Sequence, residues 1–241
     1  MIVALAGIEP GDRVLEVGAG LGSLTVPLAE AGASVLAVEF DRGLVAALTE
    51  VAEGRSIEVL GDDAMKVDWR SALGGERWKM VSNLPYNIAT PLLIDMLSAD
   101  LPIDSFLVTI QREVGERLAA RAGDDLYGAV SIRVEWFAEA EIVRRVPPTV
   151  FWPPPKVESV IVRLTPRSKP PVDADPEVLF RLVAEGFAQR RKTMANALRR
   201  LGASSEEAGR TLAACGLRAD VRAEDLSLAD LAALSHEVPF A

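Results

Sequence analysis

Three glycines at alternate positions follow a short apolar run and precede a segment with helical spacing: Gly18, Gly20 and Gly22. Glycine permits positive φ angles and lets a ligand come close to the backbone. A helix that begins directly after such a loop points its free N–H groups at that ligand. The G-x-G-x-x-G pattern of dinucleotide-binding loops is not matched, because the third glycine comes one residue too early. The loop therefore predicts a ligand site of another kind, and a structural tight turn is the alternative.

Acidic residues near this loop narrow the choice of ligand. Glu16 lies two residues before the first glycine, where a carboxylate would repel a pyrophosphate but suits the cationic end of an amino acid. Glu39 ends the next predicted strand and is placed to accept both hydroxyls of a ribose. Asp63, with Asp62 as the alternative, follows the third predicted strand and could accept from an adenine amino group, although a solvated turn there is also common. Together these acids predict a nucleoside ligand without a pyrophosphate, such as S-adenosylmethionine.

A second cluster follows the fourth predicted strand: Asn83, Leu84, Pro85 and Tyr86. The Asn83 side-chain oxygen and the Leu84 carbonyl could each accept one N–H of an exocyclic amine on a nucleobase, which would free the nitrogen lone pair. Pro85 fixes φ so that this carbonyl can point toward the amine. The Tyr86 ring offers a surface on which a base can stack. These residues predict in-line methyl transfer to a base amine without a strong general base; a proline turn with a buried tyrosine is the alternative.

The elements that must position these residues alternate between strands and helices. This alternation is typical of a Rossmann-like α/β fold, in which a parallel sheet is covered by helices on both faces. Two later apolar segments, 129–136 and 159–164, are predicted to add antiparallel strands. The other predicted strands cover 13–17, 34–38, 57–60, 79–82 and 106–110, and the predicted helices cover 24–31, 44–52 and 90–98.

The composition changes after residue 164. Residues 165–176 contain four prolines and few large apolar side chains, which predicts a linker. Beyond it every pattern is helical, and Ser204 with Glu207 forms a plausible capping box. We therefore expect an α/β domain over residues 1–165 and a small all-helical domain over 166–241. The predicted C-terminal helices cover 176–189, 191–201, 205–215 and 226–234.

The motifs together resemble those of the ribosomal RNA adenine N6-dimethyltransferases, over nearly the whole chain from Val14 to about Leu234. Residues 111–117, 127–128 and 190–198 are similar to that family's middle region and C-terminal domain. The resemblance implies a catalytic domain that binds S-adenosylmethionine and a helical domain that contributes to RNA binding. It implies that the cofactor contacts Glu16, Gly18, Gly20, Gly22, Glu39, Asp63, Ala64 and Asn83, and that catalysis depends on Asn83, Leu84, Pro85, Tyr86 and Phe151.

Residues 151–159 resemble the family's target-base loop, in which the first aromatic residue, here Phe151, stacks on a flipped adenine. Considered without the family, 151–156 is a stiff proline-rich loop, and such a segment is a sound platform for a stacking side chain. A flipped base needs a wall on each face, and Tyr86 with Phe151 could supply both. The alternative is that Phe151 and Trp152 pack between the domains.

Two branches of the family are relevant to the reaction. One dimethylates two adjacent adenosines in a hairpin near the 3′ end of small-subunit (16S) ribosomal RNA during ribosome assembly, and the other methylates a single large-subunit adenosine. Residues 153–159 and 190–193 look more like the first branch, so we expect it, with a subunit assembly intermediate as partner. The alternatives are a large-subunit adenine methyltransferase, an RNA-binding assembly factor that has lost catalysis, and a methyltransferase acting on a protein or small molecule.

The net charge of −9, taken as an average, argues against a polyanionic partner. The charge is unevenly distributed, however, because residues 163–200 carry 9 basic and 4 acidic side chains. The most basic part of this stretch is 189–200. It could form an RNA-binding surface, and a solvated helix face is the alternative. We expect RNA to contact Arg190, Arg191, Lys192 and Lys156.

The remaining composition bounds the class of protein. One cysteine, Cys215, and one histidine, His236, exclude an internal disulfide and a cysteine- or histidine-rich metal site, so we expect no metal. No apolar run reaches the roughly 18 residues of a membrane span. We therefore expect a cytoplasmic monomer with no membrane partner.

Members of the family carry a segment ahead of the first strand, with a Gln-Asn-Phe-Leu stretch that folds over the cofactor. The printed sequence begins almost at the first predicted strand. We therefore expect a form made of these 241 residues to bind the cofactor weakly.

Overall fold

The computed structural model describes residues 2–151, 154–189 and 191–238, which form two compact units. The first unit comprises the residues up to Gly115 together with Ala138–Pro166. The second comprises Glu116–Phe137 together with the residues from Arg167 onward. Residues 116–137 belong with the helical unit because Tyr127, Ile132 and Trp136 are buried in the same core as the later helices.

The first unit is built on seven strands: β1 (Arg13–Val17), β2 (Ser34–Glu39), β3 (Ile57–Gly61), β4 (Trp78–Asn83), β5 (Ile103–Gln111), β6 (Ala138–Val146) and β7 (Ser159–Pro166). They form a single sheet in the order β3-β2-β1-β4-β5-β7-β6. Strands β1 to β5 are parallel, and β7 is antiparallel to both β5 and β6. The predicted α/β fold is confirmed, and so is the antiparallel strand predicted over 159–164.

The order of the strands places a reversal between β1 and β4. From β1 the chain winds outward to β3, and it then crosses to β4 and β5 on the other side of β1. In open α/β sheets, ligands bind at this reversal, outside the carboxyl ends of the strands. The glycine loop and residues 83–86 both follow strands at this edge.

Short helices connect the parallel strands. Asp41 and Asp68 cap two of them, because their side chains accept backbone N–H groups of the first turn. A further helix, α6 (Arg112–Ala119), follows β5 and crosses the boundary between the two units. The helices before it are α1 (Ile2–Ala6), α2 (Thr25–Glu30), α3 (Arg42–Ala52), α4 (Trp69–Leu73) and α5 (Ala89–Ser98).

The strand predicted over 129–136 is wrong, because this segment is the helix α7 (Ala129–Phe137). Its apolar residues alternate with other residues, as in a strand that exposes one face. The segment exposes no such face, however, because Ser131 is buried together with Ile132, Val134 and Trp136. The Ser131 hydroxyl stabilises the helix start by accepting from the Gly128 N–H and donating to a backbone carbonyl. The strand that pairs with β7 begins one residue after this helix.

The second unit is helical apart from its connections. Two of its helices start with a capping box, and the predicted pair Ser204 and Glu207 is confirmed as one of them. Phe180 contacts the rings of Trp136 and Phe137 and lies under the Arg133 guanidinium, which ties α7 to the later helices of this unit. Those helices are α8 (Pro176–Phe187), α9 (Met194–Arg200), α10 (Ser205–Ala214) and α11 (Leu228–Glu237).

Gly115 provides a test of how α6 packs on the sheet. A Cβ atom at this position would overlap Val160 Cγ2 and lie 2.9 Å from Val162 Cγ2, and both valines are fully buried. We expect Gly115→Ala to lower the free energy of unfolding by about 1–3 kcal/mol through overpacking. Gly209→Ala is the control, because that glycine lies in α10 with nothing within 4 Å of its Cβ position. If neither substitution changed the melting temperature, the result would contradict this packing of α6 on β7.

Candidate active site

A cavity of about 410 Å³ opens at the carboxyl edge of the parallel strands. This volume lies in the range of small-molecule sites. Its walls come from the ends of four strands and the segments that follow them: Val17 and Gly18 at the end of β1, residues 38–41 at the end of β2, residues 62–65 after β3, and Pro85, Asn87 and Ile88 after β4. The cavity therefore lies at the reversal of the sheet, between the glycine loop and the residues after β4.

The two strands at the reversal separate before their ends. Backbone pairing between β1 and β4 stops at Leu15 and Met80. Beyond that point the Val17 N–H donates instead to the Ser82 hydroxyl, at 2.9 Å, and the Ser82 side chain is fully buried. This side-chain bond replaces a backbone bond, so the strands can diverge without leaving a buried N–H unpaired.

The glycine loop packs directly against residues 83–86. Gly18 has a φ of +76°, and a Cβ there would lie 2.8 Å from Pro85 Cδ. Its N–H donates to the Val38 carbonyl at 2.8 Å, which holds the loop against the end of β2. Gly20 and Gly22 also have positive φ. A side chain at Gly18 would therefore separate the loop from Pro85.

Glu39 fixes the geometry of the pocket with both carboxylate oxygens. Its Oε2 accepts from the Gly20 N–H, and its Oε1 accepts from the Phe40 and Asp41 N–H groups, each at 2.9 Å. The side chain is 9% exposed. A carboxylate offers about four acceptor sites, so these three bonds leave capacity for a further hydroxyl.

Glu16 is buried at the end of β1 with an incomplete set of partners. It is 2% exposed, and neither its Oε2 nor the buried Thr25 hydroxyl has a hydrogen-bond partner among the described residues. Burial raises the pKa of Glu16 to about 8; the neighbouring Thr25 hydroxyl opposes this effect, and the negative charge of Glu39 adds to it. An unpaired buried carboxyl is costly, and a cationic donor would remove that cost.

Asp63 and its neighbours form the wall after β3. The Asp63 Oδ1 accepts from the Met65 N–H at 3.0 Å, and its other oxygen lies 3.3 Å from the Lys66 ammonium group. Asp62 is exposed and accepts from the Asp63 N–H, whereas Ala64 is buried. All three residues line the cavity.

The residues after β4 combine one buried anchor with exposed polar groups. The Leu84 side chain is buried, and its N–H donates to the Thr109 carbonyl at 3.1 Å. The Asn83 side chain is exposed. No backbone N–H within 2–151, 154–189 or 191–238 donates to the Leu84 carbonyl, so this oxygen and the Asn83 amide are both available to a ligand.

Tyr86 is held by a residue that sequence reasoning missed. Its ring is 37% exposed, and its hydroxyl lies 3.1 Å from the Ser159 hydroxyl, which is fully buried at the start of β7. Ser159 pairs with Gln111 of β5, so its position is fixed by the sheet. Seventy-three residues separate the two partners, and no local pattern reveals such a bond.

Phe151 lies on the same face of the sheet as Ser159. It is half-buried against a cluster of Leu107, Val146 and Ile161. Ile161 and Ser159 are two positions apart on β7, and alternate residues of a strand share a face. Phe151 as a whole is partly exposed, while Trp152 lies outside the described residues.

The basic residues predicted to contact RNA lie in both units. Lys156 is exposed in the first unit, and Arg191 and Lys192 are exposed in the second, before α9. Arg190 lies outside the described residues. Arg200, in the same basic stretch, forms an ion pair with Glu185 at 2.7 Å and is less available to an external partner.

The described residues contain no cluster of three or more histidine, cysteine, aspartate or glutamate side chains that could hold a metal ion. No helix in the described part of the chain is long and apolar enough to cross a membrane.

Comparison with known proteins gave whole-chain matches. A family model described as ribosomal RNA adenine dimethylase matches residues 1–238. The ribosomal RNA small subunit methyltransferase A of Moorella thermoacetica is 40% identical over 245 residues, covering 97% of this chain and 85% of that protein. The protein of the same name from Cutibacterium acnes is 43% identical over 242 residues, covering 96% of this chain and 80% of that protein.

Solved structures resemble the chain over both units. A dimethyladenosine transferase from Plasmodium falciparum superposes with a TM-score of 0.81 at 26% identity, covering 97% of this chain and 92% of that one. The 23S rRNA methyltransferase ErmE superposes with a TM-score of 0.73 at 24% identity, covering 98% and 95%. The second likeness concerns the fold alone.

The buried Glu16 carboxyl predicts a pH-dependent effect on stability. Its pKa of about 8 in the folded protein exceeds the ordinary value of 4.5, so wild-type stability falls as pH rises from about 4.5 to about 8. Glu16→Gln removes this effect. We therefore expect the variant to have a higher free energy of unfolding than the wild type, and the difference to grow to about 2 kcal/mol or more between pH 4.5 and pH 8. Urea unfolding without ligand at pH 5, 6.5 and 8 measures it. Glu50→Gln, at an exposed position on α3, is the control. A Glu16→Gln difference that stays constant with pH would contradict this account.

Proposed function

Because the chain belongs to the ribosomal RNA adenine dimethylase family, we propose that it methylates the N6 amine of two adjacent adenosines in small-subunit ribosomal RNA. The methyl donor is S-adenosylmethionine. The observation that carries the proposal is the close approach of Pro85 to Gly18, because it brings the segment that contains Asn83 and Leu84 next to a nucleoside-sized cavity that Pro85 itself lines. Relatives at about 40% identity that are named small-subunit methyltransferases favour the small-subunit branch.

The residues around the cavity fit this donor. The unpaired Oε2 of Glu16 is suited to the ammonium group of the methionine part. The spare acceptor capacity of Glu39 is suited to ribose hydroxyls, and Asp63 with Ala64 is suited to the adenine edge. S-adenosylmethionine, when bound, supplies an electrophilic methyl group on a sulfonium centre.

Asn83 and Leu84 prepare the amine of the target base. The Asn83 side-chain oxygen and the Leu84 carbonyl each accept one N–H, which draws the nitrogen toward tetrahedral geometry and frees its lone pair. The Leu84 carbonyl is fixed before the substrate arrives, because the Leu84 N–H is anchored to Thr109 and Pro85 restricts the backbone. The methylated amine is acidic enough to lose its proton to water, so no residue of high pKa is needed.

Tyr86 and Phe151 hold the flipped base from its two faces. Both are partly exposed, and both are attached to the start of β7, through Ser159 and Ile161 respectively. Stacking on such rings is worth about 1–3 kcal/mol per base. We propose that Ser159 is a positioning residue, which acts by fixing the tilt of the Tyr86 ring.

The finer features of the partner belong to the same proposal. We propose that the substrate is an assembly intermediate of the small subunit, bound by a monomer. Exposed Arg191 and Lys192, with Lys156 in the first unit, supply cations for RNA phosphates.

Asn83→Ala tests the mechanism. We expect kcat for methyl transfer to under-methylated small subunits to fall by about 100-fold or more, because one of the two proposed acceptors of the amine is lost. Tritium transfer from labelled S-adenosylmethionine measures it, and an unchanged melting temperature verifies the fold. Transfer at the wild-type rate would show that the amine is not activated by Asn83.

A double-mutant cycle tests the positioning role of Ser159. Tyr86→Phe and Ser159→Ala each remove the hydroxyl pair and keep the ring, and we expect each to lower kcat/KM by about 3- to 10-fold. The double variant should be no worse than either single variant, because both lose one bond. Fluorescence of 2-aminopurine at the target position would follow ring stacking independently. Additive losses would mean that the two hydroxyls act separately.

A further inference from the structure

Charge is segregated along the edge strand β6. Glu139 and Glu141 lie in its first half, whereas Arg144 and Arg145 lie near its end. Arg145 pairs with Val160, and the next residue pairs with Ser159. The basic end of β6 is therefore next to the residue that holds Tyr86, at the carboxyl edge of the parallel strands.

These two arginines are not used to hold the fold together. Both are exposed, and neither forms an ion pair or side-chain hydrogen bond with another residue in the described parts of the chain. Their neighbour Arg163 behaves differently, because it binds the Leu5 carbonyl and lies 3.6 Å from Glu141. Consecutive residues of a strand project from opposite faces, so the pair presents charge on both sides of the sheet edge.

Lys156 extends the same surface. It is exposed and lies three residues before Ser159, in the loop that leads into β7. The acid closest to it in sequence, Glu158, forms an ion pair with Arg112 at 2.7 Å. We call Arg144, Arg145 and Lys156 the basic edge.

The opposite half of the same sheet edge is acidic. The segments that end β1, β2 and β3 carry Glu16, Glu39, Asp41, Asp62 and Asp63, and four of these line the cavity. A polyanion is repelled from that half and attracted to the basic edge, so the two substrates are separated by charge along one edge of one sheet.

We propose that the basic edge binds the phosphates that flank the target adenosine. This inference rests on the proposed function. Phosphate contacts of this kind fix the register of a nucleic acid without reading its sequence. A base held between Tyr86 and Phe151 has its backbone at the sheet edge outside these rings, and the strand end that carries Arg144 and Arg145 borders both. The Arg-Arg pair at 144–145, separated from residues 147–151 by Val146 alone, is the sequence feature that marks this surface.

The test compares Arg144→Ala/Arg145→Ala with a control that removes as many cations from the amino edge of the sheet. That control is Arg13→Ala/Arg77→Ala, whose arginines form exposed ion pairs; Arg13 in addition lies over the Trp78 ring, so the melting temperature of the control is measured alongside. With under-methylated small subunits, we expect the first variant to raise KM about 10-fold and to leave kcat and cofactor affinity within about twofold. For binding to a synthetic RNA hairpin with two adjacent loop adenosines, the plot of log K against log salt concentration should become less steep, by about 1.4 to 1.8 units of slope.

Three results would overturn the proposal. They are an unchanged KM and salt slope, an equal loss in the control variant, and a loss on intact subunits without any loss on the protein-free hairpin. The last result would assign the arginines to a ribosomal protein. An Arg144→Lys/Arg145→Lys variant that keeps most of the affinity supports a role in phosphate binding. If the wild-type protein failed to transfer methyl groups, the proposed function would be contradicted. The phosphate-binding proposal would still be tested, because hairpin binding is measured separately.

Discussion

The close approach of Pro85 to Gly18 is the contact on which the rest of the site depends. The proline ring occupies the space that a Cβ would fill, so the loop after β1 and the segment after β4 touch without an intervening side chain. The contact is possible because β1 and β4 diverge at their ends, where the Ser82 hydroxyl satisfies the Val17 N–H. The cavity and the proposed acceptors of the amine are thus brought together by one feature of the sheet.

The separation of charge along the sheet edge resolves an apparent conflict between the acidic chain and its nucleic acid substrate. A net charge of −9 is an average over an acid-lined cavity and basic segments elsewhere. On the proposed function, the acids face a nucleoside with a cationic amino-acid end, and the exposed arginines of β6 face the phosphate backbone of the RNA. Local charge would then orient the RNA, so the negative net charge of the chain does not oppose RNA binding.

The elements of the fold could be predicted where burial produces a recognisable pattern of apolar residues in the sequence. Central parallel strands such as β1 and β2 are buried on both faces and appear as continuous apolar runs, and the glycines mark the loop that follows. The helix over Ala129–Phe137 was missed because its alternation imitates a strand, while packing within the helical unit buries it. The hydroxyl pair of Tyr86 and Ser159 depends on strand order, which periodicity does not encode.

The buried Glu16 carboxyl links stability to ligand binding. Without a ligand its pKa is about 8, so the group is mostly protonated at neutral pH and one oxygen lacks a partner. On the proposed function, an ammonium group next to Glu16 favours the ionised carboxylate, so binding releases a proton and gains affinity as pH rises toward 8. A glutamine would make the empty protein more stable and would remove the charge that selects a cationic ligand. The residue that weakens the empty fold is thus the residue that distinguishes this donor from a nucleotide with a pyrophosphate.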